Sequence, residues 1–331
     1  MEHKPHGLLL VDKPRGVSSH AVVATVLRTL SPGRQPRGAP RYRCGHAGTL
    51  DPMATGLLLV LCGAATRLST FLLGHDKSYR ATVSFGVSTD TLDADGQPDA
   101  RAAVTASPDG LASALAGFRG ELLQVPPVIS ALKRDGVPLY KRARRGEEPT
   151  ASPARAVRID SLELAGVRWG VPGPDGAAVH EADLVLACSS GTYVRALARD
   201  LALALGTVGH LSSLRRERVG PFEVARALPA DMMRDARAVA GAVIPSASAL
   251  PEAPAVPLSA GEAADLRRGL PPGADLTERT AAAAAPGEPA GLLRLLAPDG
   301  SLVAIARMEA DDAGAWRLRT PAVFPAAPTP D

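Results

Sequence analysis

The chain is poor in aromatic residues, in lysine and in paired cysteines. Aromatics make up 3% of its 331 residues. With so few rings, a core has to be built from Leu, Val and Ala, and each aromatic stands out. The cysteines Cys44, Cys62 and Cys188 lie far apart in sequence, with no CxxC pair. That spacing suggests neither a disulfide framework nor a zinc site, and free thiols fit a reducing cytosol. No apolar run is long enough to cross a bilayer; the longest, Leu57 to Cys62, falls far short. The run before Asp12 is too short for the apolar segment of a secretion signal. A soluble, cytoplasmic protein without membrane contact is expected. Scarce lysine beside abundant Arg and Ala reads as coding bias.

The length of 331 residues is enough for one large domain plus a small one, and 46% hydrophobic residues can build a buried core. The formal net charge of +3 is unevenly spread. From Ser246 onward there are 7 basic and 11 acidic residues, against 30 and 23 before it. An anionic partner would therefore dock mainly on the first 245 residues.

The pattern along the chain is α+β. Gly7 to Val11 and Gly56 to Cys62 read as buried segments. Tyr79, Ala81, Val83, Phe85 and Val87 alternate with polar or small residues, as in a half-buried strand. Ser18 or Ser19 caps a helix with Val22, Val23, Val26, Leu27 and Leu30 on one face. Ser107-Pro108 starts a second helix. Ser189-Ser190-Gly191-Thr192 turns into a third, with Val194, Leu197, Leu201 and Leu205 on one face and Gly206 at its end. Residues 31–43 form a basic Pro/Gly-rich loop. Residues 225–257 read as a weak helix and then a linker. A hairpin is expected from Leu292 to Ala306 around Pro298-Asp299-Gly300-Ser301. The loop at 281–289 and the tail from Pro325 carry no element.

Four features could hold chemistry. Two glycines and a proline around His46 and Asp51 force an irregular loop that can present a carboxylate, though an Asp there can also merely close its own turn. Arg195 sits in a first helical turn, where the helix dipole disfavours a cation, so an anionic partner would explain it. Tyr79 lies on the apolar face of its strand, as a core ring or as a platform for a nucleobase. Residues 133–145 carry Lys133, Arg134, Lys141, Arg142, Arg144 and Arg145 against Asp135 alone, with Tyr140 among them. Such a run is either a solvated loop or a phosphate-contact arm. The Asp93-x-Asp95-Gly96 sequence looks like part of a calcium loop, but Thr91 and Ala102 occupy the first and twelfth ligand positions, so calcium is rejected.

In combination these segments are specific. Gly45-His46-Ala47-Gly48-Thr49-Leu50-Asp51-Pro52-Met53-Ala54-Thr55-Gly56 closely resembles the signature of the TruB family of pseudouridine synthases. The same order holds for the run Gly7 to Gly16, for Asp76-Lys77-Ser78-Tyr79-Arg80 and for the acidic stretch Thr89 to Gly96. It continues through Pro126-Pro127-x-x-Ser130-Ala131-Leu132-Lys133, Cys188 to Arg195, and His210-Leu211-x-x-Leu214-Arg215-Arg216. Ser190 stands where the family often has lysine, and the 31–43 loop is longer than usual.

The resemblance implies a pseudouridine-synthase fold, a mixed, mostly antiparallel sheet flanked by helices. It places a catalytic domain at 1–250, with an RNA-contact segment at about 126–150, and a β-rich PUA-like domain at 251–331. It implies isomerisation of a uridine in the T loop of tRNA, at position 55, after the base is flipped out. The glycosidic C–N bond is exchanged for a C–C bond with no net redox change, so neither cofactor nor metal is called for. By the same resemblance Asp51 acts on the ribose, by attack at C1′ or proton abstraction at C2′. Arg195 would offset the burial of that carboxylate. Tyr79 stacks on the uracil, Leu214 walls the pocket, His46 fills space where the nucleotides leave the loop, and Asp90 orders the cleft. Lys13, Lys133, Lys141 and Arg142 join His46, Asp90 and Leu214 as substrate-binding residues. The expected partner is the tRNA T arm, bound by a monomer with no obligate protein partner. Two other readings share the scaffold: an RNA-folding protein without catalysis, and a guide-dependent pseudouridylase. A carboxylate hydrolase lacks a convincing second carboxylate.

Overall fold

The computed structural model describes residues 4–33, 41–128, 152–172, 178–283, 291–309 and 317–326, with backbone alone at 133–134, 137–138, 310 and 316. Four strands of the first third are β1 (Gly7–Lys13), β2 (Cys44–Ala47), β3 (Thr55–Cys62) and β4 (Lys77–Phe85). Two short strands, β5 (Val87–Thr89) and β6 (Pro98–Arg101), pair with each other. The middle contributes β7 (Gly120–Gln124), the small hairpin β8 (Lys133–Arg134) and β9 (Val137–Pro138), and the long pair β10 (Arg155–Pro172) and β11 (Ala178–Cys188). Then come β12 (Gly209–Val219), β13 (Phe222–Glu223) and β14 (Ile244–Pro245).

Among the described residues these strands form a ten-stranded sheet in the order β14-β1-β3-β12-β4-β11-β10-β7, with β2 on β3 and β13 on β12. Only β12 and β3 run parallel; the other pairings are antiparallel. Period-two patterning explains β4: Lys77, Tyr79, Ala81, Val83 and Phe85 are buried while the residues between them are not. The strand ends at Phe85, and Val87, expected as its continuation, begins β5. β3 is buried on both faces because the helix Ser19–Leu30 packs on Leu58 and Val60 and the C-terminal sheet on Leu59 and Leu61, so its sequence is continuous rather than alternating.

Helix α1 (Ser19–Leu30) is capped by Ser18, whose side chain accepts from Ala21 N. Its buried stripe of Val22, Val23, Val26 and Leu30 packs on Leu9, Val11, Leu58 and Val60. Helix α2 (Pro108–Leu115) starts at the Ser107 cap, and α3 (Val194–Ala204) packs Val194, Leu197 and Leu201 against Tyr79, Ala81, Val83 and Leu184 of β4 and β11.

The segment expected as weak helix and linker is structured. Leu228 N donates to Leu10 O and Asp12 N to Leu228 O, and Ile244–Pro245 pairs with Gly7–Leu8. The physical reason lies in β1, an otherwise unpaired edge of apolar residues that the Ala/Pro-rich segment covers. The C-terminal strands β15 (Ala255–Pro257), β16 (Leu293–Leu296), β17 (Leu302–Ala310) and β18 (Trp316–Val323) form a four-stranded sheet containing the expected hairpin. Its Leu302, Ile305, Ala322 and Phe324 share one core with Leu8, Leu59 and Leu61 of the large sheet.

Gly56 marks the tightest approach between strands. It has φ +98°, and a Cβ there would lie 2.2 Å from the carbonyl oxygen of Arg216 on β12. Gly56→Ala is therefore expected to destabilise the fold by about 1–3 kcal/mol or more, read as a lowered urea midpoint with unchanged slope.

Candidate active site

The loop between β2 and β3 carries Asp51, and three buried side chains and one backbone N–H hold it. Ser19 Oγ donates to Leu50 O (2.9 Å) and accepts from Leu50 N (2.8 Å). Gly16 N donates to Pro52 O at 2.8 Å. Lys13, fully buried, donates from Nζ to Pro14 O, Val17 O and Pro52 O. Arg216, 1% exposed, donates to Leu57 O, Thr49 O and Gly48 O. The loop is thus clamped on both sides of Asp51, and three of its donors, Ser19, Lys13 and Arg216, are buried side chains.

Across from it, Arg195 is 6% exposed and its Nε lies 3.0 Å from Asp51 Oδ2. Its Nη1 lies 3.4 Å from Asp93 Oδ2 and donates to Thr91 O at 2.7 Å. One buried guanidinium therefore joins two carboxylates from separate loops. The turn carrying Asp93 is itself fixed: Thr91 Oγ1 and Asp95 N both donate to Asp93 Oδ1, and Ala94 N donates to Leu211 O on β12. Leu92 at its centre adopts φ +61°. Arg195 is placed by the start of α3, where Gln124 accepts from Tyr193 N at 2.8 Å.

Asp51 is ringed by protein yet keeps 37% of its side chain exposed, so it opens to solvent on one side. Burial pushes its carboxyl above the usual range, Arg195 and Lys13 pull it down, and Asp93 and Asp95 push it up again. The net direction is upward: Arg195 only partly offsets the burial. Tyr79 is 6% exposed and its hydroxyl is raised by burial, with the Arg216 guanidinium beside it acting the other way. Tyr79 and Leu214 share one apolar cluster with Leu50 and Met53, directly under the Asp51 loop. His46 on β2 is half-buried, and burial and then the Arg216 charge lower its pKa.

The structure thus brings Asp51, Arg195, Tyr79 and Leu214 to one place, with His46 on the strand entering the loop. It corrects two expectations. Lys13 does not present its ammonium to a substrate; three carbonyls hold it inside, and burial lowers its pKa to about 8. Asp90 does not order the Arg195 region: it is exposed and accepts from Gln97 N, closing its own turn, while Asp93 three residues on takes the inward place. Asp93, Arg216 and Ser19 were missed by sequence reasoning. The alternating carboxylates of the Thr89–Gly96 turn were a usable signal for Asp93. Nothing in the sequence marks Ser19 over Ser18. The side chain of Lys133, and Lys141, Arg142 and Tyr140, lie outside the described residues. Among the described residues no group of three or more His, Cys, Asp or Glu is disposed to hold a metal ion.

Two family profiles match this chain. That of the TruB family pseudouridylate synthase (N terminal domain) covers residues 37–194, and that of the tRNA pseudouridylate synthase B C-terminal domain covers 195–250. The chain is 41% identical over 309 residues to a tRNA pseudouridine synthase B of Arthrobacter sp., covering 90% of this chain and 92% of that one. The chain belongs to the TruB family of pseudouridylate synthases. A second TruB-family relative, the tRNA pseudouridine synthase B of Leifsonia xyli, is 39% identical over 97% of both chains. The TruB fold also aligns with the archaeal box H/ACA sRNP Nop10-Cbf5 complex, at a TM-score of 0.66 and 20% identity over 98% of this chain and 88% of that one.

An upward-shifted Asp51 has a consequence for stability. A carboxyl whose folded pKa exceeds its unfolded value favours the fold at low pH and loses that contribution as pH rises through the folded pKa. Asp51→Asn is expected to melt no lower than the parent at neutral pH, with any advantage shrinking as pH falls through the raised folded pKa and gone below about pH 4, the ordinary carboxylate range. Melting curves from pH 3 to 8 check the sign.

Proposed function

We propose that this chain isomerises uridine to pseudouridine in the T arm of tRNA, at position 55, with Asp51 as the catalytic carboxylate. The observation that carries this reading is the Asp51–Arg195 pair: a carboxylate with one open side, backed by a guanidinium that water does not reach. The target uracil is stacked inside a folded loop, so the enzyme flips it out and offsets the lost stacking, a few kcal/mol. The flipped nucleoside enters against Asp51, with Tyr79 beneath the base and Leu214 as a wall. The N1–C1′ bond breaks, the uracil turns while held, and C5 bonds to C1′. Both chemical routes, attack on C1′ and proton removal from C2′, use the ionised carboxylate.

Arg195 keeps that charge available in a site that would otherwise neutralise it, and Asp93 fixes the guanidinium's orientation. His46 fills the space the departing nucleotides leave. The basic run 133–145 supplies phosphate contacts to the T arm. Residues 1–250 form the catalytic domain and 251–331 a PUA-like domain. The chain acts as a cytoplasmic monomer without an obligate partner. The stand-alone reading is supported over a guide-dependent one by 39–41% identity to the tRNA pseudouridine synthases B, against 20% to the Cbf5 complex.

Asp51→Asn is expected to abolish pseudouridine formation on a T-arm transcript while tRNA affinity stays within a few fold; near-parental turnover overturns the assignment. The parent enzyme should lose activity on acidification through a pKa above about 4, since the reactive form is ionised and the carboxyl is shifted up. Neutralising Lys141, Arg142, Arg144 and Arg145 together should weaken tRNA binding and flatten its salt dependence by up to ~3–4 in slope.

A further inference from the structure

Two of the three cysteines, remote in sequence, meet across the base of the hairpin that carries Asp51. β2 and β3 are antiparallel and their register sets Cys44 directly opposite Cys62. The neighbouring backbone bond runs from Gly63 N to Arg43 O at 2.7 Å, which makes Arg43 and Gly63 a hydrogen-bonded pair. Cys44 and Cys62, one step along, are therefore a non-hydrogen-bonded pair. In such pairs the Cα atoms stand about 4.5 Å apart and the side chains are at their closest. Disulfides accept Cα separations of roughly 4.4–6.8 Å. The two side chains share one face of the sheet, and the thiols hydrogen-bond to each other. Both are unbridged.

We propose that Cys44 and Cys62 form a reversible dithiol–disulfide site, oxidised by hydroperoxides, that staples the two strands holding the Asp51 loop. The two thiols are not equivalent. Cys44 is half-buried, and its pKa is lowered by the hydrogen bond from Cys62 and by the Gly63 N–H, against the opposing effect of burial. Cys62 is fully buried, and its thiol is pushed up by the same hydrogen bond and by burial. An accessible, thiolate-prone sulfur beside a resolving thiol is the arrangement that peroxide oxidation requires.

The Cys44 thiolate attacks one peroxide oxygen, giving a sulfenic acid and hydroxide, which takes a proton to become water. The Cys62 sulfur then attacks the sulfenic sulfur, losing its proton, and the hydroxyl leaves as a second water. The two thiols lose two electrons and the peroxide gains them. The bridge encloses Gly45 to Leu61, and so the whole Asp51 loop, inside a closed ring. It ties down β2, the strand that bears His46. Closing a ring of this length removes conformational freedom from the unfolded chain. Cys188 ends β11, whereas Cys44 and Cys62 lie on β2 and β3, and it takes no part.

The test uses the full-length protein treated with hydrogen peroxide and then compared with a reduced sample. The expected product has lost two of its three thiols, weighs two hydrogen atoms less, and yields a Cys44–Cys62 linked peptide that dithiothreitol releases. Its Tm should rise by ~5 °C. Cys44→Ser and Cys62→Ala should each prevent both the bridge and the Tm rise, and Cys188→Ser should change neither. Accumulation of sulfinic acid on Cys44 without a bridge, or a bridge to Cys188, overturns the proposal. A lowered Tm in the bridged form overturns its role as a staple. Mass, thiol count and melting do not depend on RNA turnover, so these outcomes stand apart from the reading of Asp51.

Discussion

A guanidinium withdrawn from water needs negative charge around it, and Arg195 obtains it from two directions. Asp51 comes from the β2–β3 loop and Asp93 from the turn leading out of β5. Neither loop has a regular hydrogen-bonding ladder of its own at that point. Removing the buried Asp93 carboxylate leaves the cation less compensated in a poorly polarisable setting. The position of the one carboxylate that faces outward is therefore set by an electrostatic requirement deep in the fold, rather than by the loop's own preferences.

The loop is also held from behind by cations that make no ion pair among the described residues. Lys13 and Arg216 are almost wholly buried and spend their protons on backbone carbonyls. Carbonyl dipoles replace the water these groups have lost, and each contact fixes one peptide of an irregular segment. Burial lowers the pKa values of His46 and Lys77, and the Arg216 charge adds to that lowering. The segment is rigid because its polar backbone is satisfied by long side chains from β1 and β12, and such preorganisation suits chemistry that depends on placement.

Much of this was readable in the sequence. The alternation in β4, the cap and stripe of α1 and the hairpin of the small sheet follow from period and turn chemistry, which act locally. Arg195 was visible as a cation where the helix dipole disfavours one. The errors arose where long-range partners decide. Lys13 looks like a surface contact until β1 is placed in the sheet, when its ammonium can only turn inward. Asp90 and Asp93 differ by three positions in one acidic turn, and only the docking of that turn on Leu211 selects which faces Arg195. The 225–257 segment looked like a linker because its value lies in an edge it covers, and an edge is a property of the assembled sheet.

The small C-terminal sheet gives the core another meaning. Its Leu302, Ile305 and Phe324 interleave with Leu8, Leu59 and Leu61, and Leu59 and Leu61 belong to the strand that leaves the Asp51 loop. Detached, the large sheet would present a greasy back face to water, and the strand beneath the reaction centre would lose half its packing. The unit is acidic and so ill suited to gripping a polyanion, yet evolution has a reason to retain it that involves no RNA: it is a buttress, and the sharpness of the front depends on the solidity of the rear.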